Sequence, residues 1–364
     1  MPSCALQGHS RRPQHGRGPP GFKHRFLVGL ILAFGCLLAV TGASSDDESS
    51  SSKEKKVAIV TLVTTSTYIP GALVLAESLQ AVKAKGDRVL LWVGPEDDPR
   101  SDMTPDRIAE LKEYWDETRQ LTKADGSYTE CQISEQHKTL IQENPTLKGL
   151  DRYWGTCSKF AVWGLVDYDV VVYMDADSVA LHNFDFVFDY LDTGEAHFAA
   201  HGVPECWDTN PPQFLECNFY TAFFVIKPLP HVQSYFHQLA SKQYLAEGEI
   251  TLLNQVIQQW KPLPRFTLVA QTEAVRPMAD DGKTMDWSQA KVYDFAGNPD
   301  TKPWMSHALA KQYHDPNWHA YFGSMVPGTE GYNRYMVPQK IWNDYYDKVL
   351  AKKEKKQKAT KEEL

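Results

Sequence analysis

The segment Asp169–Met174 (DVVVYM), apolar after its first residue, is the clearest buried strand and limits this chain to folds that bury a strand on both faces. A second β-rich run lies at Val57–Val63 and a third at 88–93. Between them, residues 71–85 place Leu73, Ala76, Leu79 and Val82 on one helical stripe. Alternating strands and helices predict an α/β fold with a mainly parallel central sheet flanked by helices.

Composition excludes several classes of protein. The chain has 364 residues, of which 42% are hydrophobic and 23% are charged, as in folded globular domains. Its length leaves room for one large α/β domain or for two smaller domains. The net charge of −8 argues against a general nucleic-acid binder, so no nucleic-acid partner is predicted.

The N-terminal segment has the pattern of a secretory address. Residues 1–25 carry Arg11, Arg12, Arg17, Lys23 and Arg25 and no acidic residue, and residues 26–40 are apolar. We expect residues 1–43 to be a signal peptide or, alternatively, a type II membrane anchor through residues 26–43. Its removal would take five positive charges, changing the net charge from −8 to −8 − 5 = −13. Residues 44–56 are polar, of low complexity, and are predicted to be a linker.

The C-terminus and the cysteines indicate the same compartment. The last four residues, KEEL, differ from the retrieval signal KDEL by one acidic exchange, and we predict residues 351–364 to be a mobile charged tail. The endoplasmic reticulum lumen is therefore the predicted location, with a type II membrane protein of the endoplasmic reticulum or Golgi as the alternative. Four cysteines would face this oxidising lumen, and their three pairings stay open: Cys131, Cys157, Cys206 and Cys217.

Two carboxylates directly follow the apolar run. Asp175 and Asp177 lie at the carboxyl end of the predicted strand, where ligands bind in open α/β sheets. A turn must begin at this point for both to reach one ion, and a hard divalent cation would offset their repulsion. Two other interpretations exist for the pair. It could cap a turn, or Asp175 could be the nucleophile of a haloacid-dehalogenase-type phosphatase.

Three ordered segments resemble glycosyltransferase family 8, the glycogenin and galactinol-synthase group. The first runs from Thr61 through Tyr68 to Leu75, the second from Ser158 through Trp163 to Asp177, and the third joins Gly297 to Lys302-Pro303-Trp304. Together they run through residues 57–305, which we predict to be one GT-A glycosyltransferase domain. Residues 306–350 are predicted to be a helical extension of that domain.

The resemblance implies a retaining, metal-dependent transferase that uses a UDP-sugar donor, with Mn²⁺, or alternatively Mg²⁺, as cofactor. Asp175 and Asp177 would hold the metal, and both would be catalytic together with Lys159, which would contact the donor. Lys302 would contact the diphosphate, and Gly297 would let the backbone approach the phosphate. Thr61, Leu62 and Tyr68 would wall the uridine pocket.

Several positions depart from the family pattern. Asp294 stands where relatives place a histidine as third metal ligand, with His307 as a fallback. Tyr220-Thr221-Ala222 and Glu249-Ile250-Thr251 replace the usual acceptor-side residues. The acceptor therefore stays open among a glycan, a protein, a lipid and a polyol. A catalytically silent relative that binds a nucleotide sugar or a glycan is the alternative function.

Overall fold

The computed structural model describes residues 54–132, 139, 154–203, 218–243, 248–270, 287–296, 302–305 and 330–362. Within these ranges strands and helices alternate, which confirms the predicted α/β class. The strands are β1 (Val57–Val63), β2 (Asp87–Val93), β3 (Glu117–Leu121), β4 (Val170–Met174), β5 (Ser178–Ala180), β6 (Phe198–Gly202), β7 (Phe219–Ile226), β8 (Lys261–Pro262), β9 (Leu268–Ala270) and β10 (Val292–Asp294). The helices are α1 (Ile69–Ala81), α2 (Pro105–Leu111), α3 (Pro230–Ala240), α4 (Glu249–Val256) and α5 (Glu330–Glu362), with short 3-10 helices at Ser66–Tyr68, Thr156–Gly164 and Asp185–Asp189.

The central sheet has seven strands in the order β3-β2-β1-β4-β7-β6-β8. β1 pairs in parallel with β2 and β4, and β2 pairs in parallel with β3. β7 runs antiparallel to both β4 and β6. The carboxyl ends of β1, β2 and β4 therefore share one edge of the sheet with the beginning of β7. A smaller sheet in the order β5-β10-β9 continues from this edge.

Two cores cover the faces of the central sheet, as the apolar strands predict. Ile59 and Val63 of β1 belong to the core that includes Leu79 of α1, whereas Val60 and Leu62 belong to the core that includes Trp163. Successive residues of β1 thus point to opposite cores, the alternation that every strand imposes. Because both faces are covered, the parallel strands tolerate apolar residues at almost every position.

The C-terminal residues are helical, although the sequence predicts a mobile tail for 351–364. α5 continues to Glu362 through a segment rich in Lys, Glu, Ala and Gln, which are favourable helix formers. Ion pairs join Lys352 to Glu77 of α1, and Lys353 and Lys356 to the glutamates at 110 and 113. Charge on the tail therefore binds the helix to the body.

The address segment lies outside the residues that the structure describes. Among the described residues, no helix combines the length and the apolar character that a membrane crossing requires. Within the described ranges a disulfide joins Cys131 to Cys157, whose Cα atoms are 5.3 Å apart. Cys206 and Cys217 lie outside the described ranges.

Candidate active site

The turn predicted after the apolar strand is present. The backbone N–H of Asp175 donates to the carbonyl oxygen of Ala222 at 2.9 Å, and the N–H of Ser178 donates to the carbonyl oxygen of Asp175 at 3.0 Å. The chain therefore leaves the sheet at Asp175 and turns back before β5. This geometry brings the side chain of Asp177 to the same region as that of Asp175.

Gly71 lets helix α1 lie against this turn. A Cβ atom on Gly71 would lie 2.3 Å from the carbonyl oxygen of Ala176 and 2.8 Å from a ring carbon of Trp304. Both are closer than non-bonded carbon contacts allow, so this position admits only glycine without a shift of the backbone. The glycine of the first resemblance segment thus packs against the second and the third.

A third carboxylate completes the cluster. Asp294 ends β10 opposite Ser178 of β5, and its Oδ1 accepts a hydrogen bond from Ser178 Oγ at 3.2 Å. One carboxylate oxygen from each of Asp175, Asp177 and Asp294 lies within 4.8 Å of the others. The structure therefore brings together the three residues that were predicted as metal ligands, and their role as ligands stays a prediction.

The electrostatics of the cluster favour a cation. Burial, followed by repulsion from Asp177 and Asp175, raises the pKa of Asp294 well above its usual range. The pKa of Asp175 is also raised, first by burial, although the nearby Lys159 lowers it. Oxygen-only donor sets of this kind suit hard ions such as Mg²⁺ and Mn²⁺. The residues present thus fit the metal that the resemblance implies.

Two buried lysines flank the carboxylates. Lys302 forms an ion pair with Asp177 and donates to the carbonyl oxygen of Phe295 at 2.7 Å. Lys159 Nζ lies 2.8 Å from Asp175 Oδ1 and 2.6 Å from Glu249 Oε1. Burial lowers the pKa of each ammonium, but the neighbouring carboxylates more than offset it, so both pKa values are raised. Both lysines therefore stay protonated and can supply charge, but they cannot accept a proton.

Glu249 is a site residue that the sequence identified only as a departure from the family pattern. It begins α4, is 3% exposed, and accepts a hydrogen bond from Thr221 Oγ1 at 2.9 Å on the oxygen that Lys159 contacts. Its other oxygen, Oε2, has no hydrogen-bond partner within the described residues. The replaced acceptor-side segment was the available signal in the sequence, but the partner of Glu249, Lys159, is distant in sequence.

These side chains line one cavity of about 540 Å³. Leu62 and Tyr68 line it together with Thr64 and Thr65, and their contact with uridine stays a prediction. Tyr68 meets the ring of Trp304 edge-on at 5.5 Å. The structure does not bring every predicted residue to this wall: Thr61 is fully buried in β1 and is not among the residues that line the cavity. Gly297 and His307 lie outside the described residues.

Comparison with known proteins identifies the class. Human glycogenin-1 is 27% identical over 271 residues, which cover 71% of this chain and 67% of that protein. Rabbit glycogenin-1 is 26% identical, covering 74% and 76%. Inositol phosphorylceramide glucuronosyltransferase 1 of Arabidopsis thaliana is 29% identical over 129 residues, which cover 35% of this chain and 19% of that protein. No family model matches the chain.

The solved structures that resemble the chain are distant. Glycosyltransferase GlyE of Streptococcus pneumoniae aligns with a TM-score of 0.47 at 15% identity, covering 84% of this chain and 64% of that one. The galactosyltransferase LgtC, in complex with donor and acceptor sugar analogues, aligns with a TM-score of 0.45 at 13% identity, covering 74% and 98%.

The sequence relatives and the site define the class: this chain is a glycosyltransferase. The similarity of the chain to the glycogenins confirms its resemblance to glycosyltransferase family 8. The GT-A fold that this resemblance predicts agrees with the mainly parallel sheet and with the acidic cluster at the edge of that sheet. Glycosyltransferase relatives also favour this class over the phosphatase interpretation of Asp175.

Asp294→Asn is expected to raise the stability of the metal-free protein. Because the pKa of Asp294 is higher in the folded than in the unfolded chain, the folded state binds more protons. Stability without metal therefore falls as pH rises from the unfolded pKa to the folded pKa, and the neutral amide escapes this loss. Each kcal/mol recovered should raise Tm by about 2–4 °C in a thermal melt at pH 7 with a chelator.

The same variant should gain less stability than the parent when Mn²⁺ is added. Asp294→His is the matched variant, because histidine is the third metal ligand in the family pattern. It should keep the stabilisation by Mn²⁺. An Asp294→Asn protein that gained as much Tm from Mn²⁺ as the parent would remove Asp294 from the ligand set.

Proposed function

We propose that this glycosyltransferase is metal-dependent and retaining, and that it transfers a sugar from a UDP-sugar to an acceptor in the secretory lumen. The observation that carries the proposal is the cluster of Asp175, Asp177 and Asp294 between two buried lysines in one cavity. A nucleotide diphosphate is the ligand whose charge matches a divalent ion plus two ammonium groups.

The residues of the site divide the work among them. A divalent ion held by Asp175, Asp177 and Asp294 would neutralise charge on the departing diphosphate. Lys302 lies beside Asp177 and would donate to a phosphate oxygen, stabilising charge as the sugar–oxygen bond breaks. Lys159, held between Asp175 and Glu249, would contact the donor from the other side of the cluster.

This arrangement needs no proton acceptor for departure of the nucleotide. UDP leaves as an anion, so fixed positive charge is sufficient, and both lysines stay protonated. The acceptor hydroxyl could then attack from the face that UDP leaves and pass its proton to an oxygen of the departing diphosphate, which would retain the anomeric configuration. The acceptor would enter beside Thr221 and Glu249, where this chain departs from the family pattern.

The test is release of UDP from a donor panel: UDP-glucose, UDP-galactose, UDP-xylose and UDP-glucuronate. The name of the plant relative puts UDP-glucuronate in the panel. We expect slow hydrolysis of one donor with Mn²⁺, its loss on chelation, and its return when Mn²⁺ is restored. Donor binding without hydrolysis, and without transfer to any sugar acceptor, would support the silent binding relative instead. Absence of both binding and turnover would reject the proposal.

We also propose the endoplasmic reticulum as the location. The basic segment before residues 26–40, the terminal KEEL and the Cys131–Cys157 disulfide support it, because disulfides persist in oxidising compartments. An N-terminal mass measurement on the isolated protein distinguishes a cleaved signal from a type II anchor.

Deleting residues 361–364 is expected to release a signal-cleaved protein to later compartments or to the medium. The retrieval signal needs the free terminus, and the deletion removes only the last two residues of α5 and the two residues that follow it. Fractionation and immunoblotting of medium against cells measure the result, with a KDEL-ending variant as the matched control. Unchanged retention after the deletion would exclude KEEL as the signal and would leave the anchor to explain it.

A further inference from the structure

One end of the cavity is built from residues that neither the resemblance nor the proposed mechanism uses. Arg100 and Asp98 follow β2, and Trp154 precedes the 3-10 helix Thr156–Gly164; all three line the cavity. The strand order places β1 between β2 and β4. The loop after β2 therefore lies on the far side of the β1 end from the carboxylate cluster that follows β4.

Contacts made by residues next to Arg100 and Trp154 hold this end of the cavity against the wall predicted for uridine. The backbone N–H of Ser66 donates to Asp102 Oδ1 at 2.7 Å, joining the loop after β1 to the loop after β2. A Cβ on Gly155 would lie 3.0 Å from Thr64 Cγ2, so the chain beside Trp154 packs directly on the end of β1. The group thus borders Thr64 and Ser66, between Leu62 and Tyr68 in sequence.

The guanidinium of Arg100 is held in one orientation. Its Nε and Nη2 donate to the two oxygens of Asp98 at 2.7 and 3.0 Å, and Nη2 also donates to Glu130 at 3.0 Å. Asp98 is 4% exposed and also accepts from Tyr128 Oη at 2.9 Å. The guanidinium lies 4.7 Å from the centre of the Trp154 ring.

The hydrogen bonds that Arg100 makes to the described residues use only two of its three nitrogens. Nη1 makes no hydrogen bond to any residue that the structure describes, although Nε and Nη2 are both engaged. It carries two N–H donors. A donor held rigidly at the wall of a ligand cavity, beside an aromatic ring, suits a flat ligand with a carbonyl acceptor at its edge.

We propose that Arg100, held on Trp154, reads the base of the nucleotide, with Nη1 donating to the O4 carbonyl of uracil. The inference deepens the proposed function and rests on its UDP-sugar donor. Cytosine carries an amino group, a hydrogen-bond donor, where uracil carries O4. Arg100 would then face donor with donor, so the same contact makes the site prefer UDP over CDP.

Calorimetric binding of UDP, CDP and inorganic pyrophosphate in the presence of Mn²⁺ tests this assignment. Arg100→Ala should weaken UDP binding by about tenfold to a hundredfold, the range for one hydrogen bond with a charged partner. Pyrophosphate, which lacks a base, should bind as it does to the parent, and the preference for UDP over CDP should shrink. Arg119→Ala is the control, because it removes an arginine paired with Glu117 and Asp167 that does not line the cavity.

Arg100→Lys is the second variant, in case Arg100→Ala fails to fold. It keeps a positive charge beside Asp98 but lacks the planar guanidinium. It should also weaken UDP but not pyrophosphate. Equal weakening of both ligands would show a merely structural role and would overturn the inference, as would unchanged UDP binding. If the parent itself bound UDP no better than pyrophosphate, the UDP-sugar function would fail; a parent preference that survives Arg100→Ala rejects the inference alone.

Discussion

Asp177→Asn and Asp175→Asn are each expected to lower the rate of UDP release by about a thousandfold, the scale for losing one charge-stabilising group from a site. Each substitution removes a carboxylate from the three-carboxylate cluster, so the divalent ion of the proposed function would be held by fewer ionised oxygens. Raising the Mn²⁺ concentration should recover part of the rate if the loss comes from metal affinity. Coupled detection of UDP, with metal titration for each variant, measures both quantities.

The control for these two variants is Asp192→Asn, which removes a carboxylate that pairs with Lys55 at the surface. It should release UDP at the parent rate, and far-ultraviolet circular dichroism should show that all three variants fold. A variant at Asp175 or Asp177 that turned over normally while still requiring Mn²⁺ would refute the assignment of that residue to the metal.

Lys159→Met should destabilise the protein by about 3–5 kcal/mol, the cost of leaving a buried charge without its partner. Glu249 and the lysine are both buried, with side chains 4% and 6% exposed, and their charged atoms are 2.6 Å apart. The double variant with Glu249→Gln should recover only the part of this loss that comes from Glu249, because Asp175, the other partner of Lys159, still lacks its counter-charge. Denaturant unfolding of the parent, the two single variants and the double variant gives the coupling energy.

A surface ion pair provides the reference for the double-mutant cycle of Lys159 and Glu249. Lys356 and Glu113 join α5 to the body with side chains 65% and 50% exposed. Removing either should cost about 1 kcal/mol or less, since solvent screens exposed pairs. If Lys159→Met cost no more than this surface pair, Glu249 would not depend on Lys159 as its counter-charge, and the charge balance described for the site would be wrong.

Sequence reasoning was most successful where one local pattern determines structure. The apolar strand at Val170–Met174 predicts burial and the turn after it, and the structure confirms both. No strand pattern marks β3 in the sequence, because the region from 117 to 150 is polar. β3 pairs only with β2 among the described strands, and its charged, half-buried Arg119 and Glu117 hide the strand pattern.

The rest of the site depends on contacts between distant residues. Glu249 and Lys159 meet only because α4 and the 3-10 helix Thr156–Gly164 converge at the sheet edge. The group of Arg100 and Trp154 likewise joins a loop after β2 to a segment beyond residue 150. No spacing along the chain reports such pairs, whereas the resemblance placed Asp294 near the cluster.

β7 runs antiparallel to β4, so its first residues line the cavity while its later residues pair within the sheet. β7 begins at the cavity, where Tyr220, Thr221 and Ala222 form part of the lining, and it leaves at Ile226 on the opposite edge. The pairing of Phe224 with Tyr173 lies further inside the sheet. Under the proposed function, changes to the chain that enters β7 would alter which acceptor fits while the sheet keeps its register, so acceptor choice could diverge between related enzymes without loss of the fold.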